Sequence, residues 1–317
     1  MTFILPGHQL EQLCQEAVDE VLLAAPFIKV SVLERLLGKI PSNATVKCVT
    51  RWQPEEIVAG VSDLEVWSVV KDRPKTNIWL KPHLHAKFYR ADQYCLVGSA
   101  NLTAKALGWS TPSNLEILVP MSATDLYIKS FETELLKNCI EVDEGIFQQF
   151  HRTVELLTET KSSLPIYTSD IDVIEQSDRL ISDERWLPIL RHPEDLYPAY
   201  CGKLEKLTAT TINSALTDLQ SLSVPPNLTQ EAFKTYIGTL LLQKPIVQKV
   251  DSFVSTPQRF GAVRNLLKTL PCHQVAEFDA NRSWQTLMRW LLYFLPHRYN
   301  LSVPHYSEIF YRVKLKQ

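Results

Sequence analysis

Residues 85–101 read HAKFYRADQYCLVGSAN and place His85, Lys87, Asp92, Ser99 and Asn101 in a pattern suited to attack on a phosphodiester. An imidazole titrates near neutrality, so an unprotonated ring nitrogen is available to attack phosphorus. A His and a Lys two residues apart on a strand share a face. His85 would then stand as a nucleophile beside the fixed positive charge of Lys87. The apolar run Tyr94–Val97 predicts a second strand that ends at Gly98–Ser99. A turn there returns the Ser99 hydroxyl and the Asn101 amide to the same end of the sheet. Attack would leave a covalent phosphohistidine. Lys87 would cover the charge on the non-bridging oxygens, and Ser99 and Asn101 would supply oriented donors. The departing oxygen needs a proton, which a second His on the far side of phosphorus would give in line before activating water. Of the 8 histidines, only His85 has a Lys two positions later. No His/Cys cluster has zinc spacing, so neither a metal nor another cofactor is expected.

This segment resembles the HKD motif of the phospholipase D superfamily with its G-S-x-N continuation. It departs in having five residues between Asp92 and Gly98, where the family often has one more. The likeness covers the motif and the strand–helix pattern around it, about half the chain. It implies a phospholipase D-like mixed-sheet α/β sandwich, with His85, Lys87, Asp92, Ser99 and Asn101 as catalytic residues. The superfamily needs two copies of the motif, so a chain with one copy is similar to members that dimerise. A two-fold axis would bring His85 of each subunit to one site. This arrangement resembles the small bacterial nucleases, the piRNA-pathway endonuclease type and the metal-independent restriction endonucleases, the last of which carry a separate DNA-recognition domain. A nuclease acting on DNA or RNA is therefore the leading expectation. A role in bacterial defence, with partner proteins of a defence system, is an association the resemblance brings. The alternatives are a phospholipid-cleaving or phosphatidyl-transferring enzyme, and a non-catalytic nucleic-acid-binding member of the fold.

Three flanking residues have two readings each. Family members keep an acidic residue that hydrogen-bonds the catalytic His, which would make Glu116 of Ser113-Asn114-Leu115-Glu116 the orienting group. A solvated strand-edge carboxylate is the alternative. Arg51 ends a strand expected beside the motif and would contact a phosphate, with Trp52 stacking on a base. The other reading is a strand-end Arg packed on a core Trp. His83 is either a secondary proton carrier or a structural His.

With 317 residues the chain can build two cores, and 21% charged with 45% hydrophobic residues is ordinary for a soluble globular protein. The greasiest stretch, Leu287–Leu295, is interrupted by Arg289 and too short to span a bilayer. No secretion signal is seen, and the 6 scattered cysteines form no C-x-x-C pair, so a cytoplasmic location without a membrane partner is expected. Net charge is −4 over residues 1–150, −5 over 151–200 and +7 over 201–317. A basic module on an acidic body points to a polyanion-facing surface, or to a basic face that is merely solvated. Arg259, Arg264 and Lys268 recur at near-helical spacing in that third and are the expected contacts to a nucleic-acid backbone.

Hydrophobic periodicity predicts strands over Glu20–Ile28, Thr45–Trp52, Leu64–Val69 and Leu115–Val119, besides the motif hairpin. It predicts helices over His8–Val18, Val30–Leu37, Leu102–Leu107 and Ala123–Cys139, and a helix or loop over Pro54–Val61. Alternating strands and helices imply an α/β sandwich with a mixed sheet over residues 1–157. The polar stretch 158–170 reads as a linker. Residues 171–317 read as a mainly helical, basic accessory domain, with helices at Leu204–Leu222, Gln230–Leu242, Phe260–Leu270 and Ser283–Leu295. In the last of these, Trp284, Leu287, Trp290, Leu291 and Phe294 have the spacing of a core face.

Overall fold

The computed structural model describes residues 4–159, 183–276, 278–304 and 307–313. They form two compact units, residues 1–147 and residues 148–317. The division precedes the linker expected at 158–170. Thr158 and Glu159 close a helix, and the remainder of that stretch lies outside the described residues.

The first unit is built on a seven-stranded mixed sheet. Its strands are β1 (Glu20–Ala24), β2 (Thr45–Thr50), β3 (Thr76–Leu80), β4 (Lys87–Ala91), β5 (Tyr94–Gly98), β6 (Leu118–Ser122) and β7 (Ile140–Glu141). Their order is β6-β5-β4-β1-β2-β3-β7. β1, β2 and β3 are parallel, while β4 runs antiparallel to β1, β5 to β4 and β6 to β5. The carboxyl ends of β1, β2, β3 and β5 therefore meet the amino end of β4 along one edge of the sheet. Ligands of open α/β sheets gather at the carboxyl ends of the parallel strands.

Why these segments are strands follows from their neighbours. Val21, Leu22, Leu23 and Ala24 are all buried, which matches the continuous apolar run of a strand covered on both faces. β6 carries Pro120, which a sheet tolerates on an edge strand because the missing N–H breaks no inner ladder. Helices α1 (Pro6–Gln15), α2 (Val30–Leu37), α3 (Pro54–Val58), α4 (Val66–Asp72) and α5 (Leu126–Leu136) complete the unit. The Asp125 carboxylate caps α5 by accepting from Tyr127 N (2.8 Å) and Ile128 N (3.4 Å). Ile128 and Leu135 of α5 pack on Leu22, Ala24, Val49, Leu84, Phe88 and Cys95 in one buried cluster.

Four local expectations fail. Residues 64–69 are not a strand but lead into α4, where Val66 and Val70 recur one turn apart and are buried. A short apolar run fits either state, and packing decides. Leu102–Leu107 forms turns, and Leu102 makes a single parallel bridge to Ile28 in the loop after β1. The last long strand begins at Leu118, not Leu115, because its partner β5 ends at Gly98. The first strand also stops at Ala24, which leaves Ala25–Ile28 as a loop over the sheet edge.

The second unit is mainly helical, as expected, but it also holds a small sheet. After α6 (Glu144–Glu159) come α7 (Leu196–Tyr200), α8 (Ala209–Leu222), α9 (Gln230–Gln243), α10 (Pro245–Phe253), α11 (Phe260–Leu267) and α12 (Ala280–Phe294). Strands β8 (Gln258–Arg259), β9 (Tyr299–Ser302) and β10 (Ile309–Arg312) pair antiparallel in the order β8-β10-β9. Trp284, Leu287, Trp290, Leu291 and Phe294 are buried, so this stripe is core. Trp290 Nε1 donates to the Leu190 carbonyl at 2.8 Å. Among the described residues no helix is long and apolar enough to cross a membrane.

Candidate active site

The β4–β5 hairpin places the motif. Lys87 opens β4 directly opposite Gly98, the last residue of β5. His85 lies two residues before the strand and is exposed, and Ser99 follows Gly98 and is exposed as well. Asn101 is half-buried two residues further on. All four thus lie along the sheet edge where the carboxyl ends of β1, β2 and β3 emerge.

Gly98 is required by close approach. A Cβ there would stand 1.9 Å from the Ile117 carbonyl oxygen. Ser99 N donates to that same oxygen at 3.0 Å, and Ile117 N donates to Ser99 Oγ at 3.2 Å. The Ser99 hydroxyl in turn donates to the Glu116 carboxylate. Asn114 Nδ2 donates to the other oxygen of Glu116 at 3.1 Å. Asn101 is oriented from the opposite side: its Oδ1 accepts from Phe27 N at 3.4 Å, so the Nδ2 donors turn away from Phe27. Two further bonds fix this loop, Leu102 N to the Phe27 carbonyl (3.1 Å) and Lys29 N to the Leu102 carbonyl (3.0 Å). Beneath it, the buried Tyr89 hydroxyl donates to the Ala100 carbonyl at 2.6 Å. Burial pushes that phenol well above its usual range, with the Glu116 charge adding to the effect, so it remains a fixed donor.

Other expected residues stand elsewhere or have other partners. Asp92 does not join the site. It lies past the far end of β4, roughly 16 Å along the strand from Lys87 at the usual rise. It sits in the hairpin turn at φ 48°, and its carboxylate accepts from Val18 N (2.7 Å), Asp19 N (3.1 Å) and Glu20 N (2.9 Å). Burial pushes this carboxyl up, but the three N–H donors outweigh it and hold the group below the usual range. Asp92 anchors the start of β1. Glu116 is not on a strand, and among the described residues its hydrogen-bond partners are Ser99 and Asn114 rather than His85. The expectation that it orients the imidazole is therefore replaced by a role in holding Ser99.

Arg51 follows β2 at the same sheet edge, but its guanidinium is engaged inside the protein. Nε donates to Glu56 at 3.1 Å, Nη2 donates to the other Glu56 oxygen, and Nη1 donates to the Leu84 carbonyl at 3.2 Å. Trp52 is buried and cannot stack on a base. His83 is exposed two residues before His85.

In the second unit, Arg264 and Lys268 are four residues apart, on α11 and at its C-cap, and share a side of the helix. Arg259 instead precedes α11 in β8, paired with Ile309. Two arginines of this third are engaged internally, since Asp251 takes Arg298 Nε (2.8 Å) and Arg312 Nη1 (2.9 Å). Among the described residues no group of three His, Cys, Asp or Glu side chains is placed to hold a metal.

Two contributors escaped sequence reasoning. Phe27 acts through its backbone, which no residue pattern reveals. Glu56 is five residues from Arg51, a spacing that carries no helical or strand signal.

No protein-family model matches the chain, and no curated protein matches it in sequence. Among solved structures it is similar to NucT from Helicobacter pylori, at 16% identity over 43% of this chain and 89% of that one, with a TM-score of 0.35. It is also similar to TrmBL2, an archaeal chromatin protein described with a novel mode of DNA binding. That likeness is at 13% identity over 43% of this chain and 50% of that one, with a TM-score of 0.30.

Proposed function

We propose that the chain is a metal-independent phosphodiesterase of the phospholipase D type that cleaves nucleic acid. The observation that carries this reading is the convergence of His85, Lys87, Ser99 and Asn101 on one edge of the sheet, with Ser99 and Asn101 each oriented by a separate segment. The His85 ring nitrogen forms a bond to phosphorus as the bond to the departing oxygen breaks. Lys87 offsets the charge on the non-bridging oxygens, the Asn101 amide donates to the same oxygens, and the Ser99 hydroxyl does so by turning its one hydrogen from Glu116 to the substrate. A proton must reach the departing oxygen. The chain has one such motif, so a second copy of the chain, related by a two-fold axis, supplies the opposing His85 as that acid. The same imidazole then takes a proton from water, which attacks the phosphohistidine, releases the phosphate product and restores His85. Arg264 and Lys268, with Arg259 nearby in sequence, are proposed as contacts to the nucleic-acid backbone.

The test is incubation in EDTA with labelled single- and double-stranded DNA, RNA and phosphatidylcholine. Cleavage of at least one nucleic acid, undiminished by the chelator, is expected. Loss of cleavage in EDTA with recovery in Mg²⁺ would overturn the mechanism. Turnover of phosphatidylcholine alone would replace the substrate class.

A further inference from the structure

Arg51 lies where a phosphate-binding arginine would be expected, yet its three contacts point inward. Its side chain and that of Glu56 are each only 12% exposed. Glu56, on α3, takes Nε and Nη2 together, the forked pairing that fixes a guanidinium plane. The remaining nitrogen, Nη1, reaches the Leu84 carbonyl, the peptide unit directly before His85. The Leu84 side chain is buried in the cluster under α5, so this residue is held from both its side chain and its backbone. The segment is tied again where Lys81 N donates to the Thr50 carbonyl at 2.8 Å. The guanidinium also stands over the Phe27 ring, 5.4 Å from its centre, and Phe27 N is the donor that orients Asn101. One cation thus links the peptide that carries His85 to the loop that holds Asn101.

We infer that Arg51, aimed by Glu56, is a positioning residue that fixes the backbone before His85 and the Phe27 loop, and does not bind phosphate. This rests on the proposed role of His85 as nucleophile. Its positive charge is already answered by Glu56, so little of it remains for a substrate. Fixing an attacking group matters because a misplacement near 1 Å costs on the order of 100-fold in rate.

The experiment compares Arg51→Lys and Glu56→Gln with wild type, with folding followed by thermal denaturation. Lys keeps the charge but cannot span Glu56 and the Leu84 carbonyl together. Gln keeps the shape but removes the charge that aims the guanidinium. Steady-state cleavage in EDTA should show kcat lower by about 10- to 100-fold for Arg51→Lys. It should be lower by about 3- to 10-fold for Glu56→Gln. KM and its salt dependence should stay at wild-type values in both. A raised KM with a flatter salt dependence in Arg51→Lys, or a lowered KM in Glu56→Gln as the arginine is released toward substrate, would overturn the inference. A second readout does not need activity. The Cε1–H resonance of His85, assigned by its loss in His85→Ala, should be single in wild type and broadened or doubled in both variants. An unchanged resonance in both variants overturns the positioning role. If wild type cleaves nothing, the proposed function fails, and the resonance still decides whether Arg51 orders His85. Should Arg51→Lys fail to fold, Glu56→Gln carries both readouts.

Discussion

The two ends of strand β4 do opposite work. At its amino end His85, Lys87, Ser99 and Asn101 gather at the sheet edge, and both His85 and Ser99 are exposed. At its carboxyl end Asp92 spends its carboxylate on the backbone N–H groups of Val18, Asp19 and Glu20. Residues that lie in one short motif are thus divided between those proposed for chemistry and one that holds the backbone. What separates them is which end of the strand they occupy. A group left facing solvent at the carboxyl edge of a parallel sheet can meet a ligand, whereas a carboxylate saturated with backbone donors already has one.

The largest expected effect lies at the open end. His85→Ala should lower cleavage by at least about 1,000-fold, since it removes the proposed nucleophile, while the melting temperature stays near that of wild type because the side chain is exposed. Mixed in excess into wild type, it should depress activity beyond dilution if two copies share a site. Lys87→Ala should follow, with kcat down by about 100- to 1,000-fold, the usual cost of losing one group that stabilises transition-state charge. Kinetics in EDTA, with circular dichroism for fold, measure both. Full activity in His85→Ala would break the contrast at its stronger end.

The far end should give the reverse pattern. Asp92→Ala should cost about 2 kcal/mol of stability, given three backbone donors left without their charged acceptor and partial solvent access in compensation. Its kcat should fall no more than a few-fold. The Asp92 carboxyl is held below its usual range, so its contribution is complete above its unfolded pKa of about 4 and is lost as pH falls below that. Urea denaturation at several pH values tests this. A collapse of kcat with stability intact would return Asp92 to the active site.

The smallest effect belongs to a second backbone-binding carboxylate. Asp218 accepts from Ile189 N and Leu190 N, as Asp92 does from its own neighbours. It is buried, however, and burial pushes its carboxyl up to about 7 despite those donors. The sign of its pH dependence is therefore opposite. Its stabilising effect is full below about pH 4 and is lost as pH rises through about 7. Asp218→Asn, which cannot ionise, should leave cleavage at the wild-type rate, flatten that slope and be the more stable of the two near pH 8. An unaltered slope in that window would show that the two carboxylates titrate alike.

Much of the first unit was legible because its signals are local. Val30–Leu37 and the helix around Leu126–Leu136 carry their own apolar periodicity, and the hairpin is marked by an apolar run closing on Gly98. The failures are places where a distant neighbour decides. The run at 64–69 fits strand or helix until packing chooses, and Leu102–Leu107 has a helical apolar spacing, yet Leu102 is drawn into a bridge with Ile28. In the second unit the helices at 230–243 and 280–294 were readable, whereas the small sheet joins strands of two to four residues, too short for a period-two pattern to register.

The candidate site divides in the same way. By itself the sequence determined where the residues of the proposed site lie, since spacing along one hairpin puts His85 and Lys87 at one end and returns Ser99 and Asn101 to it. Only the tertiary structure decided what the other polar residues do. Asp92 was committed by the start of β1, Glu116 by Ser99 and Asn114, and Arg51 by Glu56 and the carbonyl before His85. The physical reason is that a residue type fixes what a group can bond, while its role depends on which donors and acceptors lie within about 3 Å of it. For these groups most of the deciding partners come from segments far along the chain.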